Sequence, residues 1–258
     1  MKKRILFTLS LTVFITINAL FRFFIDEKVS GVNSCLIDGI FTWSVNRFLI
    51  LGLIPMMVYW YFIEESNQDN NINIIIRRKD RFEIWLEESR KILSLCFFSF
   101  LFDIFISFLF GIIFNGINSN YSNLSGDAFL KHSYLGISCF EKLNTTVCPK
   151  LNIVNVVAFI VINLLQIFLL VIVANAVRWL ISTVVSYVCL FGFCGLIGVN
   201  FAAKFYGLSD LGIKSSNGDY YYEILKKDIY LQKIFVEIVF ISIVFLIVKI
   251  FINRKNFI

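Results

Sequence analysis

The hydrophobic positions of this chain gather in long, nearly uninterrupted blocks. A helix needs about 20 predominantly apolar residues to cross the hydrocarbon of a bilayer. Six blocks meet that length, at 5–24, 42–63, 92–114, 153–177, 179–203 and 234–252. The second has the least sharp start, between 40 and 48. Arg47 near that start can snorkel toward the interface, with Trp43 as an aromatic anchor. Tyr59, Trp60 and Tyr61 mark its other end, and Pro55 predicts a kink inside it. Between the fourth and fifth blocks, Asn175-Ala176-Val177-Arg178 leaves room only for a tight hairpin. The expected fold is therefore an all-α, polytopic membrane helix bundle. It has about six transmembrane helices in one domain over 1–258, multi-pass in the cell membrane.

Composition agrees with the pattern. Hydrophobic residues make up 58% of the 258 and charged residues 16%, where a soluble domain is nearer half apolar and about a quarter charged. This excludes a water-soluble enzyme, a nucleic-acid-binding module and a disordered chain. The net charge of +6 is then information about topology and not about DNA.

With the N-terminus inside, seven of the nine arginines fall on inner segments, all but Arg22 and Arg47. The positive-inside rule therefore places both termini in the cytoplasm. Lys2, Lys3 and Arg4 before the first block resemble the start of a signal peptide. The apolar run is longer than a signal sequence needs, and no small-residue cleavage site follows it, so a retained helix is expected.

The inner loop 64–91 holds seven acidic and six basic residues. From Asp80 to Lys91 it is rich in helix formers. Phe82, Trp85, Leu86 and Ser89 fall on one face, with Glu83, Glu87, Glu88 and Arg90 pointing elsewhere. Two compatible readings follow: an amphipathic helix on the inner leaflet that continues into the third span, or a docking helix for a cytoplasmic partner.

The outer loop 115–151 carries Cys139 and Cys148 in an oxidising compartment, so a disulfide between them is expected; Cys35 in the first outer loop competes as a partner. Cys96, Cys189 and Cys194 lie within spans and read as small core residues.

Ionisable residues inside a span carry a functional hypothesis by default. Asp103 is the deepest, at the middle of the third span; Glu237 and Arg22 lie near outer ends. Asn155, Asn163 and Gln166 on the fourth span are the expected hydrogen-bond partners of Asp103. The alternative is a polar translocation path through Asp103, Asn163, Gln166 and Glu237. Gly192, Gly195 and Gly198, at steps of three, predict close helix packing on the fifth span.

Several chemistries are missing from the sequence. It has no phosphate-binding loop of the Gly-x-x-x-x-Gly-Lys-Ser/Thr type and no Gly-x-Ser-x-Gly elbow. A single histidine, His132, excludes the paired-histidine metalloproteases. Glu87-Glu88-Ser89-Arg90 only superficially matches the Glu-Glu motif of intramembrane prenyl-protein proteases. The chain is expected not to be catalytic by itself and to hold no cofactor.

The segment Asn73-Ile74-Ile75-Ile76-Arg77-Arg78-Lys79-Asp80-Arg81-Phe82-Glu83-Ile84-Trp85-Leu86, between spans two and three, resembles that of a known family. It is similar to the membrane subunit of small bacterial ABC transporters of the six-span ABC-2-like type, found in peptide or bacteriocin export and immunity. The region 206–233, before the last span, fits that family's outer re-entrant element. The resemblance implies a permease that exports peptides or other amphipathic compounds. It also implies a separate subunit that binds ATP and magnesium, and a second permease chain, identical or related. Arg77, Arg78, Arg81, Phe82, Trp85 and Glu87 would form the docking helix, the aromatics filling a pocket on the ATPase. The rival class is a non-transport membrane protein, either an immunity or accessory factor or a tetraspanin-like scaffold.

Overall fold

The computed structural model describes residues 2–24, 49–69, 81–115, 153–205 and 230–252. All regular structure among them is helical. In chain order the α-helices are α1 (Lys2–Phe24), α2 (Ile54–Asp69), α3 (Arg81–Asn115), α4 (Ile153–Leu180), α5 (Thr183–Phe205) and α6 (Tyr230–Ile252); a π-helical turn, Leu49–Leu53, leads into α2. Four stretches are long and apolar enough to cross a membrane: Leu49–Ser66, Arg81–Ile113, Ile160–Leu180 and Ile234–Ile252. Two shorter apolar stretches, Leu6–Leu20 and Thr183–Gly195, stand beside them.

The helices pack around α2 and α4. Helix α4 touches α2, α3, α5 and α6, while α1 lies against α2 and α3. Of the residues in Leu49–Ser66, 67% are buried, against 6% in Ile234–Ile252, so α2 is central and α6 peripheral. On α1 the buried positions are Phe7, Leu11, Ile15 and Ala19, one per turn. The Phe7 ring meets Tyr61 of α2 at 4.6 Å. The rest of α1 is also apolar, with Leu6, Leu9, Val13 and Ile17 exposed. A helix that is apolar on its outer side as well belongs in an apolar solvent.

The helix type changes just before Pro55, from the π-helical turn Leu49–Leu53 to α2. Pro55 sits at the second position of α2, where its missing N–H costs little. The same missing donor leaves the turn before it without a return bond. The Cys194 thiol of α5 lies 3.5 Å from the carbonyls of both Leu51 and Gly52.

Three expectations are corrected here. Helix α4 runs through Asn175–Arg178 without a break, and the hairpin turns at Ile181 and Ser182. The Ile181 amide closes the last turn on Val177 at 2.8 Å. The Ser182 hydroxyl accepts the Val185 amide at 3.2 Å and so caps α5. Within this chain Gly192 and Gly195 of α5 do not form a close-packing seam: a Cβ added at either would meet nothing within 4 Å. Of the three span cysteines, Cys96 and Cys194 are buried but Cys189 is exposed.

Candidate functional site

Helix α3 has 35 residues and so extends about 52 Å, well beyond the roughly 30 Å of a hydrocarbon core. Its first turns expose Glu83, Glu87, Arg90 and Lys91 on one side. On the other side Trp85, Glu88, Ser89 and Ile92 are buried. The aromatic face of this segment is turned into its own bundle. Trp85 has no exposed surface; it meets Phe245 of α6 edge-on at 4.7 Å and stacks with Phe82 at 5.9 Å. This corrects the expectation that Trp85 fills a pocket on a partner. Phe82 is half-buried, Arg81 opens the helix half-buried, and Glu87 is exposed. Arg77 and Arg78 lie outside the described residues, as do Cys139 and Cys148.

Glu88, grouped by the sequence pattern with the outward charges, is instead the centre of a buried polar joint. Ser66 of α2 donates to its Oε1 at 3.3 Å. Three donors from the end of α4 converge on its Oε2: Asn175 at 3.3 Å, Arg178 at 2.5 Å and the Trp179 indole at 2.7 Å. The Glu88 and Arg178 side chains are only 9% and 10% exposed, so water does little to screen the pair. The Arg178 guanidinium also lies over the Phe62 ring, 5.3 Å from its centroid, a cation–π arrangement. Arg178 sits in the last turn of α4, where the helix dipole favours a cation. With both oxygens occupied by donors, this carboxylate acts as a fastener between α2, α3 and α4. It is not placed to act as a base or nucleophile.

A second tie lies next to it. Tyr59 of α2 is fully buried, its hydroxyl 2.5 Å from Ser186 Oγ on α5. The Ser186 hydroxyl also lies 2.7 Å from the Thr183 carbonyl, and the Tyr59 hydroxyl 3.5 Å from the Ala174 carbonyl of α4, so this one phenol joins α2 to both α4 and α5. The Tyr59 and Tyr187 rings meet at 5.2 Å.

Deeper in the bundle the expected polar path separates into two places. Gln166 of α4 donates to Glu237 of α6 at 3.4 Å, and so joins those helices. Asn163 is buried on α4. Asp103 is fully buried on α3; its polar neighbour is Ser107, one turn along the same helix, and no side chain of another described helix hydrogen-bonds it. The expectation that Asn163 or Gln166 holds Asp103 is therefore corrected; the Asn155 side chain lies outside the described residues.

The joint around Glu88 escaped the sequence reading, although one signal pointed to it. Arg178 is the only charged residue between Lys150 and Lys204, and a lone charge in so apolar a run calls for a buried partner. Among the described residues no group of three or more His, Cys, Asp and Glu side chains is placed to hold a metal ion. No family model, curated protein or solved structure matches this chain.

Proposed function

We propose that this protein is the membrane permease subunit of an ATP-driven exporter of peptides or other amphipathic compounds. ATP is hydrolysed by a separate subunit, and the path is completed by a second permease chain. In this reading all six helices span the cell membrane. The ends of α2, α4 and α6 and the starts of α1, α3 and α5 face the cytoplasm, as the arginine distribution supports.

The observation that carries the reading is the continuity of α3. A charged segment exposing Glu83, Glu87 and Arg90 runs without interruption into the apolar part of the same helix. Glu88 ties the junction to α2 and α4. A push on the exposed charges thus reaches the membrane-embedded bundle directly. The docking surface is this charged side, with Glu87 and Arg90 at its centre, and not the aromatic side.

The test is purification of the full chain in mild detergent from its native membrane. A nucleotide-hydrolysing subunit in equal amount is expected, and its association should be lost in Glu87→Lys and Arg90→Glu variants that still fold. A homo-oligomer without associated ATP hydrolysis would instead support the non-transport class.

A further inference from the structure

Asp103 is fully buried inside the apolar stretch Arg81–Ile113 of α3. The side chain that bears on its carboxyl is Ser107, one turn along the same helix. No donor from another described helix reaches either oxygen. Buried carboxylates are paired or richly hydrogen-bonded, because an isolated charge is far too costly in apolar surroundings.

Helix α3 packs against α1, α2, α4 and α6. The face that α1 buries is apolar, and its charges, Lys2, Lys3, Arg4 and Arg22, fall at its two ends. On α2, Tyr59 is held by Ser186, Tyr61 lies against Phe7, and Glu64, Glu65 and Asp69 belong to the last turns. Arg178, the one charged residue of α4, is held by Glu88. On α6, Glu237 receives Gln166, Tyr230 and Lys233 stand in the first turn, and Lys249 stands in the last. The nearest titratable group on α3 itself is the Cys96 thiol, two turns back. Among the described residues no charged group bears on the Asp103 carboxyl.

Glu88 shows the contrast on the same helix, about 22 Å away. It gathers a guanidinium, an indole, an amide and a hydroxyl, where Asp103 has a single hydroxyl beside it. A carboxyl that keeps its proton needs no more than that. It carries no charge, its O–H donates and its other oxygen accepts. We propose that Asp103 is a proton-binding site, the folded chain holding one proton on this carboxyl with Ser107 as its hydrogen-bond partner. The proton is taken from water as the chain folds and returned to water as it unfolds. The site rests on burial and on the lack of a facing charge, and it holds whether or not the protein is a transporter.

The test uses the full chain in mild detergent. Infrared spectra at neutral pH should show the carbonyl stretch of a protonated carboxyl, and Asp103→Asn should remove it. Equilibrium unfolding of both chains over a pH series gives the linked proton. An unfolded aspartate releases its proton above about pH 4, and the folded site keeps it. Relative to Asp103→Asn, the wild-type folding constant should therefore fall about tenfold for each pH unit above about pH 5, until the folded site itself titrates. No protonated-carboxyl band in the wild-type chain, a band that survives Asp103→Asn unchanged, or stabilities of the two chains that run parallel across the series would each overturn the proposal. Should Asp103→Asn not fold, carbon-13 labelling of the aspartate carboxyls in the wild-type chain decides: the band shifts if it belongs to Asp103, and an unshifted band overturns the assignment.

Discussion

Arg178 and Glu88, ninety residues apart in the chain, meet at 2.5 Å with both side chains almost out of reach of solvent. The pair fixes the end of α4 to the second turn of α3. Removing one partner leaves the other charge buried. Arg178→Met is therefore expected to lower the unfolding free energy by about 3–5 kcal/mol, whereas Glu88→Gln combined with Arg178→Met should recover a large part of that loss. Thermal unfolding of the two variants in detergent checks this; a double variant no better than the single one would show that the charges are not coupled.

Trp85 is a core residue despite its place in the charged segment. Trp85→Ala should cost about 3–5 kcal/mol through the cavity it opens against Phe245. Half-buried Phe82 should cost less on the same change. If Trp85→Ala left Tm unchanged while weakening partner association, the aromatic side would face outward after all.

Tyr59 ties α2 to α5 through one hydroxyl. Tyr59→Phe removes the hydroxyl shared with Ser186 and Ala174 and is expected to cost about 1–2 kcal/mol. Ser186→Ala should cost less, because the buried phenol keeps the Ala174 carbonyl as an acceptor. The double variant should fall short of the sum of the two, which a double-mutant cycle on Tm measures.

Gly192→Ala and Gly195→Ala add a methyl group where nothing stands within 4 Å. Each should be tolerated and, by reducing chain entropy in the unfolded state, stabilise by up to about 1 kcal/mol. A drop in Tm for either would indicate that a second chain approaches α5 closely at that point.

The helices themselves were legible because their length and apolarity are local properties: the last apolar block, 234–252, coincides with the membrane-capable stretch Ile234–Ile252. The hairpin was misplaced for a physical reason. Asn175 and Arg178 looked like residues that need water, but both spend their polarity on Glu88, so α4 continues past them. The turn comes at Ser182, whose capping bond to Val185 is a weaker sequence signal than a charge. Glu88 itself was hidden because its neighbours Glu83 and Glu87 share its type and point outward. Nothing nearby reveals that its partners come from α2 and α4. Asp103 is conspicuous at once, being a lone acid in a span, but that its polar neighbour is Ser107 of its own helix and not a residue of α4 depends on packing that no local pattern encodes.

The position of the Glu88 joint along α3 has a mechanical meaning. It lies seven residues from Arg81 and 27 from Asn115, arms of about 10 and 40 Å on a helix rising 1.5 Å per residue. In the proposed transport cycle, a rigid tilt of α3 about Glu88 would make it a lever of unequal arms. A sideways displacement of about 1 Å at the charged end becomes about 4 Å at the far end, an amplification set by where one carboxylate is pinned.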